Sequence, residues 1–286
     1  MRYNVILLLL LSYILKTTQV WTNILMIGDS NDRNLLISIC DLYRGNGTNF
    51  GNEDFVSQNG VTSKSWCSKD HHFFYHGLNG FTSFSKDTIK NWSDLQCDIN
   101  QLNITLFSLQ IFGAADEPPY YLRLCSNGIA NDGPYCGTKS RVARGIELIH
   151  QDKKIDYIMF QSIGWDISYQ PHISKVDDNM IINYRNRINQ LLEIAPESHI
   201  ILRTQPVGSE YKMKAKIDEY NQKVVKKVAL EYKSAKIYLF DLLLLDTRNW
   251  FVPNDHFHFT DVFLHHIFDI MIISLDTIKQ NNKTMV

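Results

Sequence analysis

Short apolar runs recur along the chain, each closed by a turn signal and each tied to a stretch with helical spacing. This alternation limits the architecture more than any other feature. The runs are Ile24-Leu25-Met26-Ile27, Ile104 to Phe112, Asp156 to Ser162, His199 to Arg203 and Lys236 to Phe240. Their length and their Ile, Leu and Phe content fit strands buried on both faces. Helical spacing covers Arg33 to Leu42, Ser140 to His150, Asp177 to Ile194, Tyr211 to Tyr232 and a last stretch from about Asp261 to Leu275. Strands that alternate with helices need right-handed crossovers, which produce a parallel sheet with helices on both faces. His71 to Leu78 reads as a further strand, and Gly45 to Asp70 as a long Gly-, Asn- and Ser-rich loop. No repeat or low-complexity tract divides the chain, so one domain is expected over residues 21–286.

The compartment is read from the first residues. Arg2 precedes an apolar run, Val5 to Leu15, that is too short to span a bilayer but fits a secretory h-region. Residues 1–20 are therefore expected to be a signal peptide, cut between Thr17 and Trp21, with an uncleaved anchor as the alternative. Ile267 to Leu275 is too short to span, so no stable membrane insertion is expected. Glycosylation sequons begin at Asn46, Asn91, Asn103 and Asn282. The formal net charge is −1 and the basic residues form no block, which argues against nucleic acid as a partner. The five cysteines lack zinc-ligand spacing. In an oxidising compartment Cys125 is expected to pair with Cys136 and Cys67 with Cys97, leaving Cys40 on the first helix as a buried free thiol. His71, His72 and His76 complete no metal-ligand set, and no metal or other cofactor is expected.

The first strand ends at Gly28-Asp29-Ser30, directly before a helix. Read alone, Ser30 is an N-cap. A serine in that place also stands where unpaired backbone N–H groups and the positive end of the helix dipole favour developing negative charge. A hydroxyl is a weak nucleophile at neutral pH and needs a base, a group that holds the base in the right tautomer, and donors for the oxyanion. Asp255 and His258 offer base and orienter three residues apart, with His256 as a rival base at a different spacing. A nucleophile at the first strand end and a base before the last helix converge if both open on one side of the sheet.

With these residues in view, the chain resembles the SGNH, or GDSL-like, hydrolase superfamily, and more closely its PC-esterase-like branch, related to plant cell-wall O-acetyltransferases. The resemblance is carried by Gly28-Asp29-Ser30 with Arg33, by Gly113 after the second core strand, by Gly164-Trp165-Asp166, by Arg203-Thr204-Gln205-Pro206 and by Asp255-x-x-His258, in family order. It implies a three-layer α/β/α sandwich with a mainly parallel, flavodoxin-like central sheet. It also implies Ser30 as nucleophile, His258 as general base and acid, Asp255 as the orienting carboxylate, and the backbone N–H groups of Ser30 and Gly113 in the oxyanion hole. The wider superfamily has an Asn where this chain has Trp165. The indole N–H can donate one hydrogen bond there, or the ring packs beside the site.

Asp29, Arg33 and Asp166 are the supporting candidates: Asp29 to hold the turn, Arg33 to meet a carboxylate or an anionic substrate group. His265 and His266, on the last helix, read as packing or surface residues. The resemblance implies a secreted serine esterase acting on O-acyl, above all O-acetyl, esters of a glycan or related small substrate. An O-acyltransferase on the same fold and a non-catalytic glycan-binding protein are the competing readings. Nothing in the sequence specifies the oligomeric state.

Overall fold

The structure is a computed structural model. It describes residues 21–44, 55–56, 61–65, 95–111, 113–114, 141–168, 175–232, 236–245, 250–251 and 257–283. The expected signal peptide at residues 1–20, the strand at His71 to Leu78, Cys67, Cys125, Cys136, Asn46 and Asn91 lie outside the described residues.

Strand β1 (Thr22–Gly28) is buried along nearly its whole length and forms the centre of the sheet. It pairs in parallel with β5 (Ile104–Gln110) on one side and with β6 (Tyr157–Phe160) on the other. Beyond β6 follow β7 (His199–Arg203) and β8 (Ile237–Phe240), also parallel. On the far side of β5 come β4 (Leu95–Ile99), β3 (Val61–Ser65) and β2 (Phe55–Val56), all antiparallel. Among the described residues the eight strands run in the order β2-β3-β4-β5-β1-β6-β7-β8. Its parallel part has the flavodoxin-like order, in which the chain reverses direction across the sheet at β1. The carboxyl end of β1, flanked by β5 and β6, is therefore the crevice where such folds bind ligands.

Period-two alternation sends each strand's side chains to two separate cores. Leu25 and Ile27 of β1, in register with Phe107 and Leu109 of β5 and with Ile158 and Phe160 of β6, face one side. There they meet α2 (Arg141–His150), α4 (Asp178–Ile194) and α5 (Lys214–Tyr220). Ile24 and Met26, with Leu106, Tyr157 and Met159, face the other, against α1 (Ser30–Arg44) and α7 (Asp261–Lys283). The short helix α3 (Ile163–Ser168) follows β6 directly. The helix expected over Asp177 to Ile194 forms as α4, with Asp177 as its N-cap accepting the Met180 N–H.

Four local expectations are corrected. The stretch Gly45 to Asp70, read as a long loop, contributes β2 and β3, which become strands by pairing outward from β4. The stretch Tyr211 to Tyr232 is not one regular helix. α5 gives way to a π-helical segment, Asn221–Lys226, before α6 (Lys227–Glu231). β4 adds a strand beside β5 where none was expected. With it comes a different disulfide: Cys40 is bonded to Cys97, with Cα atoms 6.2 Å apart, so Cys40 is not a free thiol and Cys97 does not pair with Cys67. The reason is geometric. The pleat of β4 turns Cys97 and Ile99 to the same core as Leu36, Ile39 and Cys40 of α1, and both cysteines are fully buried there.

Among the described residues no helix is long and apolar enough to cross a membrane.

Candidate active site

The turn that leaves β1 is shaped from beneath. A Cβ on Gly28 would come within 1.8 Å of Asp32 Oδ2 and 3.0 Å of Gln161 Nε2, so only glycine fits. Asp29, 2% exposed, accepts the Asn31 N–H on Oδ1 at 2.8 Å, while its backbone carbonyl accepts from the Arg33 N–H. This carboxylate-to-backbone bond turns the chain into α1 and presents Ser30 at the helix N-terminus. The side chains of Ser30 and Trp165, and all of Asp255 and His256, lie outside what is described.

Beneath the turn sits a buried ion pair. Asp32 Oδ2 accepts from Arg203, at the end of β7, at 3.0 Å and from Gln161, just past β6, at 2.8 Å. Asp32 and Arg203 are 0% and 1% exposed. Burial pushes the Asp32 carboxyl up to about 6; the Arg203 charge opposes this, and the nearby Asp29 carboxylate adds to it. Asp32 Oδ1 and Arg203 Nε are buried without a hydrogen-bond partner. Arg33 points elsewhere, its guanidinium reaching Asn34 Oδ1 at 3.4 Å.

The ends of β5 and β6 carry the next two blocks. Gly113 has φ 103°, a left-handed conformation that favours glycine, and a Cβ there would meet Asp166 Oδ1 at 2.6 Å. Asp166 on α3 accepts the Ala114 N–H at 3.0 Å and the Tyr220 hydroxyl at 2.7 Å. A Cβ on Gly164 would strike Asp29 Oδ2 at 2.4 Å and Phe257 Cζ at 2.7 Å, so α3 lies flush against both the Ser30 turn and the segment of His258.

That segment is tied down by one side chain. Asn31, fully buried and next to Ser30, donates from Nδ2 to the Phe257 carbonyl and accepts the Phe259 N–H on Oδ1, both at 3.4 Å. The two bonds bracket His258. Phe257 also packs on Tyr211 with ring centroids 5.4 Å apart, and Phe259 bridges to Phe251, which fixes the chain just before α7. His265 belongs to the helix packing: its Nε2 lies 3.0 Å from Ser38 Oγ on α1. His266 packs on Trp250.

The structure thus brings the backbone of Ser30, the Gly113 turn, Gly164, Asp166 and His258 to one edge of the sheet, and it seats Arg203 below them. Sequence reasoning missed Asn31, the partnership of Asp32 with Arg203, and Tyr220. Asn31 and Asp32 carried a readable signal of burial, because polar residues in the first turn of a helix packed on a core strand have few ways to reach water; their partners carried none.

No protein-family model matches the chain, and no curated protein matches it in sequence. Solved structures are similar at low identity. A carbohydrate esterase family 3 protein from Talaromyces cellulolyticus is 15% identical, with 91% of this chain and 99% of that chain covered and a TM-score of 0.44. A peptidoglycan O-acetylesterase is 9% identical, with 96% of each chain covered and a TM-score of 0.48. A family two carbohydrate esterase from Clostridium thermocellum, solved in complex with cellohexaose, is 14% identical, with 91% of this chain but 65% of that chain covered and a TM-score of 0.44.

Proposed function

We propose that the chain is a secreted serine esterase of the PC-esterase-like kind that releases or moves an acyl group, acetyl first, from a hydroxyl of a glycan or related substrate. Ser30 Oγ attacks the ester carbonyl and His258 takes its proton, with Asp255 orienting the imidazole. The backbone N–H groups of Ser30 and Gly113 receive the oxyanion, with the Trp165 indole as a further donor. His258 returns the proton to the leaving hydroxyl, and water resolves the acyl-enzyme.

The observation that carries this reading is the Asn31 bracket. The residue beside the nucleophile holds the backbone on both sides of the base, so two segments more than two hundred residues apart are fixed in one small space. The ends of β1 and β5 are likewise joined, by the Ile111 N–H to the Gly28 carbonyl at 2.8 Å. The buried Cys40–Cys97 disulfide supports an oxidising compartment.

A fluorophosphonate probe tests the reading directly. The full chain is expected to take one label, on Ser30, and to release acetate from an acetylated glycan. Ser30→Ala is expected to take no label and to lose turnover by about four orders of magnitude or more. A wild-type chain that resists the probe, or a Ser30→Ala chain that labels equally, would end the serine-esterase reading.

A further inference from the structure

Tyr220 and Asn221 are adjacent and fully buried, yet they serve two different polar structures. Tyr220 closes α5 and Asn221 opens the π-helical segment. Asn221 mimics a strand partner for Gln205, accepting its N–H at 3.0 Å and donating to its carbonyl at 2.8 Å. The Tyr220 hydroxyl donates to Asp166 Oδ2 at 2.7 Å and lies 3.2 Å from Ser162 Oγ. Insertions of π-helix into α-helices recur at functional sites, and this one places neighbouring residues on separate tasks.

The Tyr220 contact leads straight to the reacting centre of the esterase reading, on which this inference rests. Asp166 accepts the Ala114 N–H, while Arg187 Nε donates to the Ala114 carbonyl at 3.2 Å. Both peptide groups of Ala114 are therefore gripped by buried charged side chains. The Gly113 backbone is shaped around the Asp166 carboxylate, as its φ and the 2.6 Å approach of a Cβ require. Since the Ala114 N–H is committed to Asp166, the donor that this turn offers an oxyanion is the N–H of Gly113. β5 brings that turn beside the nucleophile, with Gln110 in register with Gly28.

We infer that Tyr220 is a positioning residue for acyl transfer: through Asp166 it fixes the Gly113–Ala114 turn, and with it the backbone donor that faces the carbonyl oxygen under attack. Tyr220 touches no reacting atom; it acts through Asp166. Its hydroxyl also helps to keep Asp166 ionised as an acceptor. Burial pushes the Asp166 carboxyl above its ordinary range, against hydrogen bonds from Tyr220, Ser162 and the Ala114 N–H and the charge of Arg187. Among the described residues, the Tyr184 ring of α4 also faces it. Without the Tyr220 bond the carboxyl rises further, so the turn loses its acceptor at a higher pH.

The test uses the full chain and p-nitrophenyl acetate, with rates counted per fluorophosphonate-titrated Ser30. Tyr220→Phe is expected to lower kcat roughly 10- to 100-fold, to leave KM within about twofold, and to move the acid limb of kcat to higher pH. In the Asp166→Asn background the same change is expected to add nothing, because both act on one turn. Tyr184→Phe is the control: its ring lies 6.2 Å from that of Tyr220, but its hydroxyl is buried without a hydrogen-bond partner, so kcat is expected to hold. An unchanged kcat and acid limb in Tyr220→Phe, or an equal loss in Tyr184→Phe, would overturn the inference. If Tyr220→Phe does not fold, Asp166→Asn alone decides, since an unaltered kcat there also overturns it. A wild-type chain that takes no label removes the esterase reading, and this inference with it.

Discussion

Two aspartates, one at each end of the same strands, pair with a cation at almost the same distance and respond in opposite ways. Asp98, opposite Thr105 at the amino-terminal end of β5, meets Lys153 Nζ at 2.7 Å, with 21% and 29% of the two side chains exposed. Burial works against its charge, but hydrogen bonds from Lys153, Thr105 and Gln96 outweigh that cost and hold it below the ordinary carboxylate range. Asp32, beneath the carboxyl end of β1, meets Arg203 at 3.0 Å with neither side chain exposed, and its carboxyl is pushed up to about 6. The difference lies in the surroundings. Asp98 keeps solvent and gathers several donors, whereas Asp32 has an oxygen with no hydrogen-bond partner and a second carboxylate nearby. The end of the sheet that carries Ser30 thus holds a costly arrangement that the other end avoids.

The comparison breaks most visibly at Arg203. Arg203→Met leaves the Asp32 charge buried without its cation and is expected to cost about 3–5 kcal/mol in urea denaturation. A loss below about 1 kcal/mol would show that the pair does not hold the strand ends together. The next test is acidity. Asp32 binds its proton more tightly folded than unfolded, so its contribution to stability is fully present below pH 3.8 and is lost as pH rises through about 6. Relative to Asp32→Asn, the wild type is expected to lose stability across that window; parallel urea midpoints would refute this. Asp98 has the opposite sign, contributing above its ordinary value and failing as pH falls through its depressed one. The smallest effect is expected at Lys153. Lys153→Met, at a pair that keeps solvent, should change stability by about 1 kcal/mol or less, and a larger loss would place the two ends on the same footing.

Most of the sandwich was legible because its signals are local. β7 spans the residues its apolar run marks, and α4 begins one residue after its capping aspartate. β4 was not legible, since Leu95-Gln96-Cys97-Asp98-Ile99 is short, half polar, and becomes a strand only against the edge of β5. The Cys40–Cys97 bond shares that obscurity, because it depends on which face of an unforeseen strand looks toward α1. At the site, the glycines carried their own message. Gly28, Gly113 and Gly164 each stand where a Cβ would collide with a buried carboxylate. The long-range polar pairs were harder to read. Asp32 and Tyr220 act on residues 171 and 54 positions away, and no spacing in the sequence encodes such a pairing. The π-helical register that separates Tyr220 from Asn221 is likewise invisible to a 3.6-residue pattern.

The disulfide has a consequence for how such a protein diversifies. Cys40 and Cys97 lie 57 residues apart in sequence, and their bond gathers both ends of the intervening segment onto α1 and β4, at the margin of the parallel core. A segment closed at its root in this way can be lengthened, shortened or rewritten at modest entropic cost, while the strand and helix that present Ser30 keep their places. The strand and helix that carry Ser30 are therefore anchored independently of the length of the segment that the disulfide closes.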